Sequence, residues 1–348
     1  MSIEFNISKI ERQTVIDVIK GTCTIFVIIT HYGWTQIQRL YCLFPFTIDM
    51  AVPIFMIITG YVYSNSFYRK GVTNLKAAYD SILLLKRILR YSIPFIITYC
   101  IECIWLYVNG ENVRGLFWGF FTGGFGPGSY YYPEMIQIVF IFPVIFISIN
   151  KNPKFVLILW FFINAFYEII CSRFGIPAEV YRLLSFRHLF LLAFGCYIFI
   201  QRNNSVNKKV MRISFLVGFV YIFIIAYLNY QTVLINNDWK GTSFITAFYI
   251  GPIVMNIIYR YGKFSLSLLE TIGKASYNIF LVQMVYYVTV ARIISKLASS
   301  CCMQVFLNVI ICITIGLIFY LINNRITNAI VYWMETTFSD DKRSEIVD

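Results

Sequence analysis

Ten apolar runs, each near the length a helix needs to cross a bilayer, divide this chain almost from end to end. A spanning helix needs about 20 mainly apolar residues. The runs fall at about 15–33, 49–67, 91–108, 132–149, 155–171, 186–201, 213–230, 244–259, 277–295 and 303–322. The sixth is short, and Gly251-Pro252 is expected to interrupt the eighth. Breaks at membrane depth are tolerated only where protein or a cavity satisfies the freed backbone groups. The expected fold is an all-α membrane protein, a bundle of about ten transmembrane helices. Only 13% of the 348 residues are charged, against about 25% in a soluble domain. Too few charges remain to cover a water-exposed surface of this size.

The Lys and Arg residues sit mostly in the short connections. Twenty of the 29 fall in the N-terminus, the 68–90, 150–154, 202–212 and 260–276 loops and the C-terminal tail. Seven fall in the alternate loops, and Lys20 and Arg292 lie within runs. The rich side is cytoplasmic by the positive-inside rule. Both termini are therefore expected in the cytoplasm, and the chain is expected to be a multi-pass protein of the cell (cytoplasmic) membrane, with the lipid bilayer as its partner. The net charge of +12 follows from topology; no long basic face points to nucleic acid. Residues 1–338 make one expected transmembrane domain, and 339–348 a short charged tail expected to be disordered. The first run lacks a small-residue cleavage pattern and is expected to be kept as a helix. Most of the nine cysteines lie inside apolar runs, where a thiol acts as a small hydrophobe. Cys100 and Cys103 have no second pair, so no metal or redox centre is expected.

Ionisable groups inside spanning helices are costly, and each needs a reason. The first run carries Asp17, Lys20 and His31. Lys20 and His31 are eleven residues apart, about three turns at 3.6 residues each. Asp17, Lys20, Thr24 and His31 thus share one stripe, roughly 20 Å long. One reading makes Asp17 and Lys20 interfacial residues, with His31 near the outer headgroups; their alignment instead suggests a face that lines a polar cavity.

Lys86, Arg87 and Arg90 lie at the cytoplasmic boundary of the third run. Arg87 and Arg90 are three apart and share a helix face. Two guanidinium forks suit a phosphate or pyrophosphate; ordinary topological anchoring is the alternative. On the outer side, GGFGPGSYYYPEMIQ (123–137) is expected to form a tight re-entrant loop. Tyr130, Tyr131 and Tyr132 are either interfacial aromatics or platforms for sugar rings. Glu134 and Gln137 enter the fourth run as buried polar groups. The 172–187 loop adds Arg173, Glu179, Arg182 and Arg187, with His188 just after, a lip polar enough to hold a glycan. His188 by itself is expected to be structural.

In this order, the features resemble the acyltransferase-3 family of bacterial integral membrane acyltransferases, polysaccharide O-acetyltransferase-like. The family opens with a D-x-x-R-G pattern and a later His; IDVIKGTCTIFVIITHY matches at Asp17, Gly21 and His31, with Lys20 where Arg is usual. MAVPIFMIITGYVYS resembles the next block, with Thr59 in place of Ser before Gly60. Arg87 and Arg90 fit the family's R-x-x-R, and GPGSYYYP is similar to a subgroup linked to surface polysaccharides. GKASYNIFLVQ matches a late block through Gly273, Ser276, Tyr277 and Leu281, with Gln283 replacing its His. The resemblance covers about residues 10–325.

What the resemblance implies is an O-acyltransferase. An acyl group, acetyl by expectation, would pass from cytoplasmic acyl-CoA to a sugar hydroxyl of a surface polysaccharide or its lipid-linked precursor. His31 would be catalytic, as a general base or as a transient carrier of the acyl group. Lys20, Arg87 and Arg90 would hold the acyl-CoA phosphates, and Tyr130, Tyr131, Glu134 and Arg182 the acceptor. Asp17 is too far along the helix to orient His31 and is expected to organise Lys20; Glu134 or Asp49 is the candidate to orient the imidazole. Two other classes fit the composition. A polysaccharide or lipid-linked sugar exporter would also show a polar stripe and a Gly-Pro-broken helix, and a non-catalytic sensor or scaffold would tolerate Lys20 and Gln283.

Overall fold

The computed structural model describes residues 13–110, 113–204, 207–228, 244–291 and 300–344. Helix is the only regular structure among them. In chain order the helices are α1 (Thr14–Thr30), α2 (Gln36–Tyr41), α3 (Ala51–Arg69), α4 (Leu75–Ala78), α5 (Ser81–Val108), α6 (Val113–Thr122), α7 (Tyr131–Lys151) and α8 (Pro153–Arg173). They continue as α9 (Ala178–Leu183), α10 (Leu189–Ile200), α11 (Lys208–Ala226), α12 (Ala247–Tyr261), α13 (Ser267–Lys274), α14 (Ser276–Thr289) and α15 (Cys301–Ser344).

Among the described residues, six segments are long and apolar enough to cross a membrane: Phe44–Arg69, Leu75–Val108, Tyr131–Lys151, Pro153–Arg173, Lys208–Ala226 and Cys301–Thr337. The chain is thus a multi-pass helical membrane protein. Each of the ten expected runs coincides with a helix, but α1, α10, α12 and α14 have only 17, 12, 15 and 14 residues. For α10 the reason is burial. Leu191, Leu192, Ala193, Cys196 and Ile198 are all 0% exposed, and the helix is walled by α3, α7, α8 and α12. A helix apolar on every side belongs inside a bundle. The 3-10 turns Ser185–His188 and Gln201–Asn203 extend it at both ends.

Two expectations are corrected. The interruption at Gly251-Pro252 does not occur: α12 runs unbroken through both, and the ring of Phe194 fills the space that a side chain at Gly251 would take. The third run starts at Ser81, because Asp80 caps it by accepting from the Leu83 N–H at 2.9 Å. Lys86, Arg87 and Arg90 therefore stand within a helix, not in a loop. Of the tail expected from Ser339 onward, residues 345–348 lie outside the described ones.

Close helix crossings tie the bundle together. At the α3–α10 crossing, a methyl on Gly60 would strike the Leu192 carbonyl oxygen and one on Gly195 the Ile57 carbonyl oxygen. The α1–α13 crossing repeats the device, with Gly21 against the Leu269 carbonyl and Gly273 against that of Asp17. Only glycine permits such backbone approach. Phe67, Phe142, Phe146, Leu191 and Phe199 fill the core between α3, α7 and α10.

Candidate functional site

The loop 123–130 folds back into the bundle as expected. Gly123, Gly124 and Gly128 take φ of 88°, 111° and 88°, values that L side chains rarely adopt. Gly126 packs on the backbone of Met284, and the Phe125 N–H donates to Glu102 Oε2 at 3.1 Å. This fold carries Gly128 to the end of α1, where a Cβ on it would lie 3.6 Å from His31 Nε2.

His31 caps the C-terminus of α1. Its ring meets Tyr287 edge-on, with centroids 6.1 Å apart, and Tyr287 is fixed by donating to the Ile28 carbonyl at 3.0 Å. The imidazole faces a narrow cavity of about 40 Å³, room for water-sized groups and not for a whole donor or sugar. Thr24, Ser276 and Gln283 supply the other small polar side chains of its wall, and Tyr130, Tyr131 and Tyr277 three rings. Val27, Val52, Phe55 and Phe280 make the wall otherwise apolar. The α1 stripe therefore does line a polar-edged cavity at Thr24 and His31. Farther down the same stripe, Lys20 Nζ pairs with Asp17 at 3.3 Å.

Tyr130 and Tyr131, expected at the acceptor, share this cavity with His31. Glu134 does not reach it. Wholly buried, Glu134 takes Arg187 Nε at 2.8 Å, with His188 Nε2 at 3.6 Å from the same oxygen. Asp49 pairs with Arg39 at 2.5 Å. Among the described residues, neither carboxylate bonds to His31. Arg182 is half-buried and outside the cavity wall.

Arg87 and Arg90 diverge. Arg87 turns into the bundle, with its guanidinium 4.4 Å from the Tyr63 ring centre and 4.2 Å from that of Phe67. It donates to Ser66 Oγ at 3.3 Å, while Nη1 is buried without a protein partner. Arg90 is exposed one turn on. Lys70 joins them. Partial burial, then the charges of Arg87, Lys86 and Arg90, hold its ammonium below the ordinary lysine range. Lys86 is itself paired with Glu335 of α15.

Three tyrosines connect this cationic end to the cavity. Tyr63, beneath Arg87, donates to the Tyr91 hydroxyl at 3.0 Å. Tyr91 meets Tyr277 edge-on at 5.2 Å, and Tyr277 donates to the Tyr91 carbonyl at 3.0 Å. Tyr277 is cavity wall. Sequence reasoning missed Tyr63 and Tyr91, because a tyrosine in an apolar run has an interfacial explanation that needs no partner.

A family model described as an acyltransferase domain, that of acyltransferase-3, matches residues 14–325. The match takes in every group just described except Glu335, and the chain belongs to that family. No curated protein matches the chain, and no solved structure does.

Proposed function

We propose that this membrane acyltransferase moves an acyl group, acetyl by preference, from cytoplasmic acyl-CoA to a hydroxyl of a surface polysaccharide or of its lipid-linked precursor. One observation carries the proposal: His31 stands on the wall of a cavity, and another wall residue, Tyr277, leads through Tyr91 and Tyr63 to Arg87. A base is thus placed on a narrow cavity, with anion-binding groups beyond it, and the donor must part the tyrosine layer to reach it.

In this reading ten helices cross the cytoplasmic membrane, with both termini inside. The free Arg87 Nη1, Arg90 and Lys70 receive the donor's phosphates by charge-assisted hydrogen bonds, and Lys20 adds charge on the α1 side. The pantetheine arm displaces part of the tyrosine layer to bring the thioester to His31. A neutral imidazole takes the acceptor's hydroxyl proton as that oxygen bonds to the acyl carbon. The carbonyl electrons shift onto oxygen, return, and expel the CoA thiolate, which recovers the proton from the imidazolium. Ester and free thiol are the products, and the base is regenerated. Tyr130 and Tyr131 offer faces for the acceptor ring. Glu134 and Arg182 lie outside the cavity wall, Glu134 shaping Tyr130 through Arg187.

The test is acceptor-dependent CoA release by the purified protein, paired with mass analysis of surface glycans from cells with and without it. An acyl-sized mass difference is expected. Glycans of identical mass, together with no CoA release, would overturn the proposal.

A further inference from the structure

Gln283 is a buried amide with nothing to bind. It is 1% exposed, and neither its Oε1 nor its Nε2 has a hydrogen-bond partner in the protein. A buried polar group left in that state carries its full desolvation penalty. Its neighbours on α14 show that the helix has no such general tolerance: Asn278 accepts from Asn323 at 2.9 Å, and Tyr286 donates to Asn308 at 2.5 Å. Gln283 differs from them in facing the His31 cavity.

Resting on the acyl-transfer reading, we infer that Gln283 and the apolar wall beside it form the acyl subsite, with the carboxamide N–H receiving the carbonyl oxygen of a short acyl thioester. The chemistry follows from the lining. The carbonyl oxygen gains negative charge as the hydroxyl adds to the acyl carbon, and a donor pre-aimed at it lowers that barrier. Val27, Val52, Phe55 and Phe280 surround the space with apolar surface suited to a hydrocarbon tail. The tail must be short, because the cavity is narrow, about 40 Å³, and Phe280 packs against Gly128 beside His31: an added Cβ at Gly128 would come within 2.9 Å of the Phe280 ring. Gln283 acts on the reacting carbonyl, while His31 acts on the proton.

The experiment compares purified wild type with Gln283→Met, which keeps length and bulk but removes both polar atoms. With acetyl-CoA as donor, kcat is expected to fall about 10²-fold, while KM and the melting temperature stay near wild type. Gln283→His, which keeps a ring N–H, is expected to lose less. Wild-type kcat in Gln283→Met, or equal losses in the Met and His variants, overturns the inference. Should the Met variant fail to fold, Gln283→Leu takes its place: its side chain offers no donor, so full kcat in it would be equally fatal. Wild type is also assayed with butyryl-CoA and is expected to favour acetyl-CoA, with Phe280→Ala narrowing the preference; indifference to chain length in wild type counts against the subsite. A wild type that releases no CoA from any donor would sink the transferase reading itself, a result distinct from all of these.

Discussion

Arg187 grips Glu134 inside the bundle, with Nε and Nη2 at 2.8 and 2.7 Å from the same carboxylate oxygen and both side chains at most 3% exposed. The same guanidinium lies 4.8 Å from the ring centre of Tyr130, a wall of the His31 cavity. Removing one partner of such a pair leaves a buried charge alone, at a cost of about 3–5 kcal/mol, whereas replacing both with apolar residues is far milder. Glu134→Leu and Arg187→Met are each expected to lower the melting temperature sharply. The double variant is expected to melt above either single one. Additive losses in the double variant would contradict a directly coupled pair.

The reciprocal glycines give a prediction with an internal control. Gly60→Ala or Gly195→Ala drives a methyl into a backbone carbonyl of the opposite helix, and overpacking costs about 1–3 kcal/mol even where side chains are free to yield. Backbone yields less, so both variants are expected to lose folded yield in detergent size-exclusion chromatography. Gly33→Ala meets nothing within 4 Å and is expected to elute as wild type does.

The cationic end makes donor binding sensitive to alkaline pH. Lys70 holds its proton less firmly than an ordinary lysine, owing to partial burial and to Arg87, Lys86 and Arg90. As pH rises, Lys70 therefore loses its charge before an ordinary lysine would, and attraction for a phosphate weakens. KM for acyl-CoA is expected to climb on the alkaline side in wild type and to stay flatter in Lys70→Arg, whose guanidinium keeps its charge. Arg87→Lys is expected to raise KM throughout, since it loses both the stacking on Tyr63 and Phe67 and the free Nη1. Steady-state kinetics across pH checks both.

The helices were legible because each run carries its own apolar length, and the α1 stripe because helical spacing alone put Thr24 and His31 on one face. What the sequence hid were relationships between distant helices. Nothing local in Glu134 tells that Arg187, 53 residues away, claims its oxygen. Arg87 and Arg90 share a face on a helical wheel, yet one is buried over Tyr63 and the other exposed, because α3 covers only part of that face. The run at 186–201 looked weak as a span because length was the criterion, while burial on all sides is what α10 uses. Gln283 stood out only as a departure from a family pattern; its unpartnered amide is a property of the packed cavity.

The two histidines separate function from packing. The His31 side chain makes no protein hydrogen bond among the described residues, is half-buried, and faces the cavity. His188 is 2% exposed beside Arg187 and Glu134, outside that wall. Truncating His31 thus removes no internal bond and leaves Tyr287 tied to the Ile28 carbonyl, so His31→Ala is expected to fold and melt as wild type does. Its acyl transfer is expected to fall by about 10²–10⁴-fold, the usual worth of a general base, with acyl-CoA affinity unchanged. His188→Ala is expected to do the reverse, lowering the melting temperature by opening a void beside a buried ion pair while the surviving folded protein keeps most of its kcat. Measuring melting and single-turnover transfer on both variants decides the matter: a His31 variant that transfers at the wild-type rate leaves the proposed base without a role.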